Sequence, residues 1–290
     1  MADSTPMEVQ VPETKNWVAL ALHLRNLPVK RDLTFTFVLT LVSVILMAAV
    51  SLGGLLWPST LYPTEELLQM FVANDVVNLF LGVPVLLVAL WLTKSEKLVG
   101  LLFWPGALLY ILYNYIAYIF GIPFSVFTVS YVVLVLLSTY CTFTLLKSID
   151  QKTIHEQLSK GVPVRIAGLV LVGFGVLFIF RAIGVIAGTI INPMLHPISE
   201  IGVSIADIVI SILFIAGGGL MLRRSSLGYV SGLGLLFVAS MLFIGLIMFL
   251  LLQPIFTGAP FVLVDIILIF IMGLVCFIPL GFFVRGVVAR

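Results

Sequence analysis

Four ionisable side chains, Asp75, Arg181, Asp207 and Asp265, stand inside long apolar stretches of the 290-residue chain. A charge near the middle of a bilayer costs about 3 kcal/mol or more even on insertion scales, so such residues pair with one another or face a polar cavity. Three carboxylates against one guanidinium leave an excess of negative charge. That set suits a small cation, a proton or an amine-bearing polar solute. A second reading stays open beside it. Arg181 can satisfy one or two of the carboxylates by bidentate hydrogen bonds and so fix how parts of a bundle dock, while a protonated Asp needs no ligand at all.

Amides and phenols accompany these charges. Tyr110, Asn114 and Tyr118 recur every four residues and share one helix face. Asn74 and Asn78 share another, with Asp75 beside them. An amide facing lipid has no partner, so Asn78 and Asn114 are expected inside. Tyr62 and Tyr118 fit an aromatic belt at the membrane boundary. The candidate binding set is therefore Asp75, Asp207, Asp265, Arg181, Asn78, Asn114 and Tyr110. There is no HExxH, nucleotide-binding loop or GxSxG and no paired His for haem, so no catalytic residue is named, no enzyme is expected and no cofactor is indicated. His196, Glu200 and Asp207 have the ligand types of a metal site if they meet. Cys141 and Cys276 form no CxxC and read as small buried hydrophobes.

The elements that must position these residues follow from composition. The chain is 61% hydrophobic and 10% charged, with mean hydropathy +1.25, whereas soluble domains average about 25% charged. An all-α membrane protein is the class. A span needs about 20 apolar residues to cross about 30 Å of hydrocarbon. Eight fit, near 33–57, 68–93, 98–120, 123–146, 164–191, 202–222, 227–252 and 260–284. Met1 to Thr14 is polar and aperiodic, so it is expected to be disordered, with no signal peptide. Trp17, Leu20, Leu24 and Leu27 recur at helical spacing, which suggests either an interfacial helix over Asn16–Leu27 or a lead-in to the first span.

With eight spans, every Lys and Arg except Arg181 falls on one side. Positive loops stay inside, so both termini are expected in the cytoplasm of a cell-membrane protein. Asp75, Asp207 and Asp265 then lie about 8–12 Å below the outer surface, and Arg181 about 24 Å up from Arg165, at 1.5 Å per residue. All four converge on one level in the outer third.

Spans one to four resemble spans five to eight. Pro58, Pro63, Glu66 and Asp75 match Pro193, Pro197, Glu200 and Asp207. Each Asp-bearing helix ends in a basic turn (Lys94; Arg223) before a glycine-containing helix start (Gly100; Gly228), with a gap of about three residues inside the helix. Four spans per unit is even, so two parallel four-helix repeats are expected. The divisions are a cytosolic segment 1–32, repeats 33–146 and 164–290, and a cytosolic linker 147–163 in which Ile154, His155 and Leu158 suggest one or two helical turns. Gly184 and Gly188 suit a close helix approach on the face of Arg181. Gly217 to Gly219 suits a close crossing or a hinge, and Pro84, Pro105 and Pro279 should kink or break their spans.

The run Asn74-Asp75, Gly82-Val83-Pro84, Leu90-Trp91-Leu92, Tyr113-Asn114-Tyr115, Tyr118 and Phe120-Gly121 resembles a pattern found in polytopic membrane proteins of bacteria and archaea. Asp207, Arg223-Arg224 and Gly228-Tyr229 resemble their second half. The resemblance covers spans two, three, six and the start of seven. It implies a prokaryotic integral membrane protein and carries no activity with it. The expected partners are the lipid bilayer and a small cation, proton or polar solute, and not a nucleic acid. The leading expectation is a small-solute or ion transporter. The alternative is a membrane scaffold whose Asp/Arg cluster is structural.

Overall fold

A computed structural model describes residues 26–159, 161–192 and 196–289. All regular elements among them are helical, and eight helices are long and apolar enough to cross a membrane. This fits an integral membrane protein. The interfacial helix expected over Asn16–Leu27 lies outside the described residues except for its last two.

The elements are α1 (Thr34–Leu56), the short α2 (Pro58–Leu61), α3 (Glu65–Val77), a π-helical turn (Asn78–Gly82), α4 (Val83–Lys94), α5 (Leu98–Gly121), α6 (Val126–Ser148), α7 (Gln151–Leu158), α8 (Val164–Ile191), α9 (Ile198–Leu222), α10 (Ser226–Thr257) and α11 (Leu263–Val288). α3, the π turn and α4 form one continuous span of 30 residues. It starts before the expected residue 68 because Thr64 caps it, its hydroxyl accepting from the Leu67 N–H. The π turn ends just before Pro84, which has no N–H to offer the preceding turn, and a wider turn is how a helix absorbs that loss. Pro105 and Pro279 lie inside unbroken helices.

The hub is α5. Of its apolar window 83% is buried, against 44% or less for every other span. It packs on α4, α6, α9 and α10, and α10 in turn packs on α3, α9 and α11. A helix so enclosed can hold polar groups inward, and α5 carries Tyr110, Tyr113, Asn114, Tyr115 and Tyr118. α8 and α9 cross closely where Gly168 and Gly218 meet, each with a would-be Cβ 2.8 Å from the other's carbonyl oxygen. Any side chain there would force the helices apart. The glycine run in α9 is thus a crossing inside a continuous helix. Gly184, by contrast, faces open space and makes no close approach.

The two ends of the bundle differ in their stitching. At one end the Lys30 N–H donates to the Ser148 carbonyl (2.7 Å), the Asp150 N–H to that of Pro28 (2.8 Å), and Lys30 pairs with Asp150 (3.4 Å). Asn26 bonds Glu96 in the α4–α5 turn. The linker helix α7 buries Ile154 and Leu158 as it packs on α10, and His155 meets Ser226 at 3.2 Å. At the other end Ser199 at the start of α9 donates to Glu66 at the start of α3. His196 pairs there with Glu200 at 2.7 Å. No group of three metal-ligating side chains forms among the described residues, so His196, Glu200 and Asp207 do not assemble a metal site. Both cysteines are free and buried.

Candidate functional site

The polar residues gather at two poles joined through α5. The first surrounds Asp75, in the last turn of α3, whose carboxylate is 1% exposed. Its Oδ2 accepts from the Tyr62 hydroxyl at 2.6 Å and its Oδ1 from the Tyr118 hydroxyl at 2.9 Å. Tyr118 in turn accepts from the side-chain amides of Asn74 (3.2 Å) and Asn78 (3.5 Å). Phe71 stacks on Tyr62, with its edge to Tyr118, and Tyr115 stacks on Tyr131. Gly54 of α1 closes the cage. A Cβ there would run into the Asp75 carboxylate and lie 2.6 Å from the Tyr62 hydroxyl. Among the described residues no cation pairs with Asp75.

The second pole surrounds Asp207 on α9. Its Oδ2 accepts from Arg181 Nη1 at 2.7 Å and its Oδ1 from the Tyr113 hydroxyl at 3.0 Å. The Asp207 side chain is 7% exposed and that of Arg181 45%, so the pair sits at a rim with the guanidinium outward. Both line a cavity of about 280 Å³ that is otherwise walled by Phe71, Phe178, Phe243, Leu246 and Phe249. Asn74, Tyr110, Tyr113 and Asn114 supply its remaining polar lining.

A thread of hydrogen bonds runs from the Asp75 cage to the cavity wall. Asn74 Nδ2 lies 3.3 Å from Asn114 Oδ1 as well as reaching Tyr118, and Asn114 Nδ2 donates to the Tyr110 carbonyl at 2.9 Å. Asn74 thus lines the cavity and donates a hydrogen bond to a ligand of Asp75, while Phe71 lines it too and packs on both phenols.

Of the residues singled out in the sequence, the structure brings Asp207, Arg181, Tyr110 and Asn114 to the cavity. Asp75 and Asn78 are buried in the cage behind it. Asp265 joins neither. It stands exposed in the first turn of α11, which packs on α10, α8 and α5 at the margin of the bundle. Residue counting gives depth along a helix but not the direction its face points. Tyr62 and Tyr118, assigned to a boundary belt, are fully buried ligands of Asp75 instead. Tyr113 was missed as the donor to Asp207 because it lies off the Tyr110, Asn114 and Tyr118 stripe. Its adjacency to Asn114 was the available signal.

No known protein family, curated protein or solved structure matches the chain.

Proposed function

We propose that the protein is a multi-span membrane protein that binds, and as a transporter moves, a small solute in the cavity beside Arg181 and Asp207. The observation that carries this reading is a half-exposed guanidinium bonded to a nearly buried carboxylate on the wall of a 280 Å³ cavity. Such a pocket, mostly apolar with a few converging polar groups, is the usual form of a ligand site. The charges at its rim balance, since one carboxylate faces one guanidinium and Asp75 and Asp265 contribute nothing to it. A zwitterion, or an amphiphile with an amine or carboxylate head, therefore fits better than a bare cation. The head would exchange with the Arg181–Asp207 pair while the apolar body lies against Phe178 and Phe243.

The basic end, with Lys30, Lys94, Lys147 and Arg223, would be cytoplasmic by the positive-inside rule, which puts both termini inside and the cavity toward the outer face. The twofold organisation of the chain also belongs to this reading. Gly100 lies against Leu92 and Thr93, and Gly228 against Leu220 and Met221, every number shifted by 128. Gly106 and Gly234, 128 apart as well, touch each other. Equivalent positions in mutual contact are what an axis between two parallel halves requires. Asp75 and Asp207 are 132 apart, so the first half holds four extra residues, about one helical turn, in the stretch that contains the π turn.

The test is binding by the full chain in nanodiscs, read as thermal stabilisation, followed by uptake into proteoliposomes. The probes are small amines, betaine-type zwitterions and short-chain amphiphiles. A ligand at a hundred times its Kd should stabilise by about 2.7 kcal/mol. Stabilisation by a zwitterion or amphiphile that is lost in Asp207→Asn and Arg181→Ala is the expected result. Stabilisation that survives both variants sinks the site. The scaffold reading is favoured by the closed packing at Asp75. It predicts that Arg181→Ala lowers stability while no probe binds the parent chain.

A further inference from the structure

We propose that Asp75 is a proton-binding site separate from the cavity, and that it exchanges its proton with the cavity through the Tyr118 hydroxyl. The polar groups placed around the carboxyl are all neutral, and α10, which also packs on α3, carries no charged residue. The groups are Ser51 of α1, Tyr62 of the loop before α3, Asn78 of the π turn, Tyr115 and Tyr118 of α5, and Tyr131 of α6. A buried anion without a counter-charge is costly, and two hydroxyl donors offset only part of that cost. Binding a cation removes it. The room available selects which one. The carboxylate already meets both phenols, and even a methyl group at Gly54 would overlap it. A metal ion needs space for several oxygen ligands at more than about 2 Å, whereas a proton needs none.

A second observation agrees. Asn78 Oδ1 is buried without a hydrogen-bond partner, although its Nδ2 lies on Tyr118. An orphan amide oxygen within this cage is an acceptor for one more O–H, and buried acceptors are normally filled. The cage holds three candidate donors for it: a protonated Asp75, three residues away in the chain, and the Ser51 and Tyr115 hydroxyls, which are also buried without a partner.

The route follows from the contacts. Tyr118 bonds both the carboxyl and Asn74, and Asn74 lines the cavity. In the exchange the Tyr118 oxygen takes the proton of the Asp75 carboxyl and gives its own hydrogen to a cavity water as Asn74 swings aside. Hydronium leaves with the charge, and a carboxylate that accepts from both phenols remains. This rests on the reading of the cavity as a solute site only for where the proton goes.

The experiment is an infrared pH titration of the full chain in nanodiscs, with choline and then sodium as the buffer cation. The expected result is a protonated-carboxyl stretch at neutral pH that shifts in heavy water. It disappears in Asp75→Asn, persists in Asp207→Asn and is the same in both cations. Tyr118→Phe should slow its hydrogen–deuterium exchange about tenfold or more, equivalent to about 1.4 kcal/mol in the barrier. Absence of the band at every pH where the protein is folded overturns the site. So does a band that survives Asp75→Asn or vanishes with sodium. Unchanged exchange in Tyr118→Phe overturns the route. If Asp75→Asn does not fold, carboxyl-¹³C aspartate with Tyr62→Phe decides instead, because loss of one hydrogen bond moves the band only if it belongs to Asp75. No solute enters this assay, so its failure leaves the cavity reading standing, and failure of the binding assay leaves this one.

Discussion

Asp75 and Asp207 each lie in a long apolar helix, yet they are satisfied by opposite means. Asp207 has a guanidinium and a phenol and stands at the edge of a cavity. Asp75 has two phenols, no cation among the described residues, and is sealed behind a tyrosine cage. The same residue type therefore becomes an ion-paired group at a cavity wall in one place and an enclosed group held by hydroxyls in the other. Neighbours supplied by other helices decide which, through Arg181 of α8 in the first case and Tyr62 from a loop in the second.

This contrast can be broken most severely at Gly54. Gly54→Val drives a branched side chain into the Asp75 carboxylate and should cost about 3 kcal/mol, seen as loss of folded protein in size-exclusion chromatography. A tolerated valine would mean the cage is loose. Next comes Arg181→Ala, which leaves Asp207 with Tyr113 alone. Removing one partner of a fully buried pair costs about 3–5 kcal/mol, but this guanidinium is half exposed, so about 2 kcal/mol is expected after screening. Adding Asp207→Asn should restore most of it in a double-mutant cycle of thermal midpoints. Additive losses would mean that the pair does not couple.

Smaller still, Tyr118→Phe and Tyr113→Phe each delete one hydroxyl, worth about 1 kcal/mol per hydrogen bond. Tyr118 should cost more, because its oxygen also receives Asn74 and Asn78. Equal losses by chemical denaturation would erase the distinction between cage and rim. The smallest effect is expected at the surface stitch. The Thr153 hydroxyl, and then Lys30, hold the half-buried Asp150 below the ordinary carboxylate range. A depressed value contributes stability above the unfolded pKa, and that contribution is lost as pH falls through the folded one. Asp150→Asn should therefore lower stability slightly at neutral pH, and its difference from the parent should vanish as pH falls through the titration of the folded carboxyl.

Much of this arrangement was legible in the sequence because position along a helix is a one-dimensional quantity. Spans, ends and the meeting of Arg181 with Asp207 follow from counting residues along apolar stretches. Rotation about a helix is not written so plainly. Asp265, counted to the same level as Asp207, stands exposed at the margin, and Tyr62 and Tyr118, counted to a boundary, are buried ligands of Asp75. The extended α3–α4 span shows a related limit. Pro84 signalled an interruption, but a π turn that keeps the helix continuous depends on how the neighbouring helices hold it.

The interleaving of the halves also has a consequence in time. Tyr113 finds its partner Asp207 94 residues later in the chain. At synthesis rates of about 5–20 residues per second, α5 waits roughly 5–20 s in the nascent protein with that hydroxyl unanswered. Four completed helices are then not yet a closed unit. The polar flank of α5 is a temporary vacancy in an apolar surrounding, and assembly of this bundle ends when the second half arrives to fill it.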